Sequence, residues 1–264
     1  MQDTGSNRWA WLGIAAGLLV ALLVFAPARW LAQAIDAATE GQLQLVNARG
    51  TVWHGQADVL FTGGQGSRTQ TALPQGLQWA LSPRWASGQP ALGVQLLAPC
   101  CTTQPFDLLL LPGLGQMELR VAALESAWPA ELLSGLGTPW NTLRIEGRLA
   151  LQTPGFNLHW NQGRAQLQGT LVLDALDIAS RVSTLRPLGS YRLDLQAAPD
   201  GHTANLALST LRGDLQLQGS GQWVGGRLRF QGEAVATPER EPALSNLLNI
   251  LGRRQGLRSL FNIG

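Results

Sequence analysis

From Gln42 onward, apolar residues fall at every second position in one short segment after another. QLQLV puts Leu43 and Leu45 on one side, LQWAL does the same with Leu77, Trp79 and Leu81, and ALGVQL with Leu92, Val94 and Leu96. The alternation recurs in QMELRV, LRIEGRLAL, AQLQGTLVL, YRLDLQA, ANLALS, DLQLQG and RLRFQG. A period of two is the signature of a strand with one buried face, and it cannot be folded into an amphipathic helix without scattering the apolar set. The segments are separated by Gly, Pro, Asn and Asp, and the 31 glycines and 14 prolines supply turns and bulges. About a dozen such segments predict a mainly β chain built on an antiparallel sheet.

Before this region lies Trp9 to Ala26, WAWLGIAAGLLVALLVFA, eighteen residues without a charge. That is close to the length that crosses a bilayer core. Trp9 and Trp11 at one end and Trp30 at the other are placed as an interfacial aromatic belt, with Arg8 and Arg29 outside them. A cleaved signal peptide is the competing reading, because Ala26-Pro27-Ala28 imitates a small-x-small site. The length of the apolar run and the thin positive charge ahead of it favour a retained anchor. The expected plan is a cytoplasmic tip at 1–8, a transmembrane helix at 9–28 and a linker or short helix at 29–41. Charge bias does not orient it.

Internal similarity divides the rest. GTVWHGQADV at Gly50 resembles GTLVLDALDI at Gly169, Pro74-Gln-Gly76 resembles Pro187-Leu-Gly189, and LLSGLG ending at Gly137 resembles LLNILG ending at Gly252. The offsets are 119, 113 and 115 residues, in the same order, which predicts two β lobes, 42–138 and 139–264. Each is closed by one short helix, PAELLSGLG in the first and PALSNLLNILG in the second.

Chemistry is sparse. Only 14% of the residues are charged, against roughly 25% in an ordinary soluble protein. The formal charge is +2, and the 19 basic residues are all Arg, scattered along the chain. Nothing marks a nucleic-acid binder. His54, His159 and His202 are far apart and lack a second ligand at metal-binding spacing. No nucleophile elbow, C-x-x-C or phosphate loop is present. Glu118, Asp174 and Asp177 could be paired in space, but nothing singles them out. The chain is read as a non-enzyme with no metal and no cofactor. Cys100 and Cys101 are adjacent; a bond between neighbours closes a strained ring and makes a poor staple, so they are read as two thiols at a strand end.

The stretch RGTVWHG, residues 49–55, places a tryptophan and a histidine between glycines. It reads either as the start of a site or as a strand turning a corner. Its counterpart in the repeat is Val172-Leu173, which has no catalytic potential, and this favours the corner, with Trp53 supplying buried area and His54 a polar tip.

The order of these motifs resembles the type II secretion system protein N family (general secretion pathway protein N). Gly50, Thr51, Trp53 and Gly55 match its GTLWxG-like motif, with Val52 for the Leu. Trp79 to Pro83 match its Trp and Leu-Ser-Pro-like stretch. Leu188, Gly189 and Tyr191, then Asp200-Gly201, match its LG-x-Y segment and D-G turn. The adjacent cysteines are not part of that pattern. The resemblance implies a single-pass inner-membrane protein of a Gram-negative cell with its body in the periplasm. Its partners would be other inner-membrane secretion components and the lipid bilayer, in a machine that exports folded proteins across the outer membrane. A likeness in character to AsmA-like envelope proteins implies a curved sheet and, as the alternative, lipid or glycolipid held in an apolar β groove.

Overall fold

The computed structural model describes residues 4–64, 67, 69–138, 140–161, 164–224 and 227–264, the side chains of residues 4–9 excepted. Two helices lead the chain, α1 (Thr4–Val24) and α2 (Ala28–Ala38). Fifteen residues of α1, from Ala10 to Val24, have described side chains. Among the described residues no helix is long and apolar enough to cross a membrane, so the fold does not by itself show a crossing by the helix expected at 9–28. The helix also stops at Val24, because Pro27 is extended (ψ 145°) and bridges Thr51.

The remainder is one antiparallel sheet with sixteen strands among the described residues. In chain order these are β1 (Leu43–Gly50), β2 (His54–Thr62), β3 (Gln70–Ala72), β4 (Leu77–Ala86), β5 (Gln89–Leu97), β6 (Phe106–Gly113), β7 (Gln116–Val121) and β8 (Leu124–Pro129). A 3-10 turn at Ala130–Leu136 and the one-turn α3 (Trp140–Leu143) interrupt them. Then come β9 (Ile145–Asn161), β10 (Arg164–Ser180), β11 (Gly189–Ala197), β12 (Thr203–Gly213), β13 (Leu215–Val224) and β14 (Arg227–Ala236). The chain ends with α4 (Glu241–Leu251), β15 (Arg253–Gln255) and β16 (Arg258–Ile263).

Neighbours in sequence are neighbours in the sheet almost throughout. The order runs β1-β2-β4-β5-β6-β7-β9-β10-β11-β12-β13-β14-β16-β15, with β3 on β2 and β8 on β9. Every alternating segment named above lies in a strand, apart from Gln42, Leu143, Arg144 and Asp214 at the segments' starts. Strand β6 escaped the pattern because its run Leu108 to Leu111 puts leucine on both faces. One face is apolar across many strands, as in the register row Leu81, Val94, Leu108, Val121 and Phe156.

The sheet does not break at the expected lobe boundary of 138/139, because β7 and β9 pair across it. Two groups of core residues do form. One joins α2 to β1, β2 and β4 around Leu45, Val59 and Trp79. The other sits under α4 around Leu215, Leu244 and Leu248. The first repeat pair does not occupy equivalent places: Val172 and Leu173 lie in the middle of β10, paired on both sides, whereas Trp53 lies in the bend between β1 and β2.

The cysteines correct the sequence reading. Cys100 and Cys101 are joined by a disulfide. The turn that follows β5 brings them together: the amides of Cys101 and Thr102 both donate to the carbonyl of Ala98, at 2.8 Å. Cys101 is buried in the first core group, and its carbonyl accepts from Ala127 N–H.

Candidate functional site

The glycine-rich stretch is a corner, and its geometry follows from its residues. Gly50 has φ +90°, where a side chain is strained, and a Cβ there would run into the carbonyl of His54. Thr51 then ties the bend: its N–H donates to His54 O at 2.8 Å, and its Oγ1 accepts from His54 N–H at 3.1 Å. Gly55 stands opposite Trp79 in the register. A Cβ on Gly55 would lie 2.5 Å from Cζ2 of that indole, so the missing side chain is what lets the ring lie flat over the strand. Trp79 is buried, and its Nε1–H donates to Val52 O at 3.0 Å.

This corner receives the first helix. Val52 N–H donates to Ala26 O at 2.8 Å, and Thr51 bridges Pro27. The indole N–H of Trp53 donates to Leu23 O at 2.7 Å. Leu23 lies in the last turn of α1, where carbonyls have no partner within the helix, so Trp53 acts as a side-chain cap. The backbone carbonyl of Trp53 accepts from Leu81 N–H at 2.6 Å, which ties the bend to β4. Beyond the break, α2 lays Ala28, Leu31, Ala32 and Ile35 on the first core group. The helix end is thus gripped from two sides.

Trp53 is therefore not the buried core tryptophan that the sequence suggested. It is half-buried, and Trp79 fills the core instead. His54 is exposed. It lines an open groove of about 440 Å³ with Arg49, Gln56, Gln78 and Gln95, and among the described residues no carboxylate or thiol lines that groove. Of the expected interfacial tryptophans, Trp11 and Trp30 are exposed at 70% and 45%. The side chain of Trp9 lies outside the described residues.

Gly50, Thr51, Trp53, Gly55 and Trp79 thus come together. Gly189 and Tyr191 do not join them, since β11 lies six strands along the sheet from β4. They form their own pair: the Tyr191 ring covers Gly189, and its hydroxyl donates to Leu215 O at 3.1 Å. Burial pushes the Tyr191 phenol well above its ordinary range.

The three carboxylates each answer a different arginine. Asp174 takes a two-pronged bond from Arg192 at 2.7 Å, Glu118 one from Arg120, and Asp177 pairs with Arg212. The hydrogen bond from Arg192 holds Asp174 below the usual carboxylate range, and that from Arg120 does the same for Glu118. They do not converge on one another. Among the described residues no group of three or more His, Cys, Asp or Glu is placed to hold a metal.

Residues 41–260 match the family described as type II secretion system (T2SS), protein N. The chain belongs to that family. The match covers nearly the whole sheet, including the corner and the Gly189–Tyr191 pair. No curated protein and no solved structure matches the chain. Membership implies contact with other components of the secretion system.

The resemblance implied an apolar β groove as the alternative, but the sequence named no residues for it. Leucines of β10, β11, β12 and β13 and residues from α3, α4 and the 3-10 turn surround an apolar cavity of about 300 Å³. Alternation marks the strand leucines as inward-facing. It carries no sign that helices from distant points would roof them without filling the space.

Proposed function

We propose that this T2SS protein N is a non-enzymatic component held at the inner membrane by α1, with its sheet in the periplasm, and that it assists export through contacts with neighbouring components. The observation that carries this reading is the Trp53–Leu23 bond. The end of α1 is fixed to the sheet while the helix itself is not packed on it: Leu18, Leu19, Leu22 and Leu23 are 51–63% exposed. An apolar helix kept clear of its own domain has its natural solvent in hydrocarbon. The uncharged run from Trp9 to Ala26 supports a crossing. The family supplies the machine, and the carboxylate–arginine pairs give the polar groups structural partners.

Alkaline carbonate extraction of cells carrying the full chain, followed by protease treatment of spheroplasts, tests the reading. The chain is expected to stay with the membranes and to lose its body to external protease. Release by carbonate, or a body protected from protease, overturns it.

A further inference from the structure

The cavity in the second half of the sheet goes beyond this reading and does not depend on it. Its floor is a register row across three strands, Leu173, Leu193 and Leu208. Its roof comes from three separate elements: Leu133 of the 3-10 turn, Trp140 of α3 and Leu247 of α4. It is partly open, and Trp140, 36% exposed, belongs to both the lining and the surface.

We propose that this cavity binds a fatty acyl chain. Protein interiors are packed to crystal density, and a void lined by leucines costs stability unless something occupies it. The occupant must be apolar, because the lining is leucine, isoleucine and alanine apart from Trp140, Ser180 and Tyr191. Its two side-chain hydroxyls are already committed inside the protein, Ser180 Oγ donating to Leu143 O at 2.5 Å and Tyr191 to Leu215 O. An aliphatic rather than planar ligand suits walls made mostly of leucine. The volume of about 300 Å³ has room for roughly ten methylene groups, if each takes about the 30 Å³ of a liquid water. With one side open, the polar end of the lipid stays outside while the chain lies under the roof.

The test uses the full chain in phospholipid vesicles and two photoactivatable diazirine probes, one on free palmitic acid and one on the acyl chain of a phosphatidylethanolamine. Cross-linked residues are mapped by mass spectrometry. Labelling is expected on β10 to β12 and on α4, and excess unlabelled palmitate or lipid should compete it away. Ala175→Phe, which fills the cavity from its floor, should cut that labelling at least tenfold while the melting temperature holds or rises. Should that variant unfold, Leu208→Phe fills the same space from the next strands. Whichever probe labels the site identifies the source, free acid or membrane lipid, and supports the proposal. Labelling confined to α1 overturns it, and so does body labelling that neither competitor nor a folded cavity-filling variant reduces.

Discussion

Trp53 and Leu23 are thirty residues apart in sequence and are joined by one hydrogen bond, 2.7 Å from indole nitrogen to carbonyl oxygen. The bond links the sheet's first corner to the last turn of α1. The half-buried indole has its polar end on the helix, so ring and N–H have separable roles.

Trp53→Phe keeps the ring and removes the donor. A neutral hydrogen bond contributes about 1 kcal/mol, so the melting temperature of the body should barely move. The grip on α1 should loosen, seen as faster amide hydrogen exchange at Val52 and in the last turn of the helix. Unchanged exchange there would mean that the bond does not hold the helix.

Trp79 is the stability residue. Trp79→Ala should cost about 3–5 kcal/mol by leaving a core cavity, read as a lower denaturant midpoint. Trp79→Phe should be much milder, losing mainly the bond to Val52 O. Equal effects from the two would contradict the packing argument.

Gly55 is bound to Trp79 by contact. Gly55→Ala places a Cβ 2.5 Å from the indole and 2.7 Å from Arg49 O, and overpacking of this kind costs about 1–3 kcal/mol. In the double variant with Trp79→Ala part of that cost should disappear, because one of the two clashing groups is gone. Strict additivity in denaturant unfolding would count against the contact.

The acid limb of stability should follow the arginine-held carboxylates. Asp174, Glu118 and Glu146 all titrate below their ordinary values, through hydrogen bonds from Arg192, from Arg120, and from Arg181 and Arg186. A depressed folded value stabilises above the unfolded pKa and is lost as pH falls through the folded one. From neutral pH to about 5 these pairs should change nothing, and below about 4 the midpoint should drop. Asp174→Asn should lower the midpoint at pH 7 and flatten that drop.

The histidines should be dispensable. His54 and His202 are exposed, and His159 is half-buried beside Glu118 in the register. His54→Ala, His159→Ala and His202→Ala should each leave secretion near wild type in a culture-supernatant assay. Complete loss from any one, with the fold intact by circular dichroism, would reopen the question of catalysis.

The alternating segments, their antiparallel pairing and the glycine corner at residues 49–55 were legible in the sequence because they are local. Strand periodicity and a positive φ at Gly50 depend on residues within a few positions, and a hairpin order follows from short connections. The family was legible for the same reason, through motifs that each occupy a few consecutive positions. What Trp53 touches was not, since its partner lies thirty residues away beyond a proline break. Nor was the division of labour between Trp53 and Trp79, which share a corner but differ in burial. The bond between Cys100 and Cys101 required the turn anchored on Ala98. The uninterrupted sheet at residue 138 and the roofed cavity came from contacts between elements as much as 114 residues apart, as Leu133 and Leu247 are. Periodicity tells which face a leucine takes, and only the packing of distant elements decides what, or how much space, lies above it.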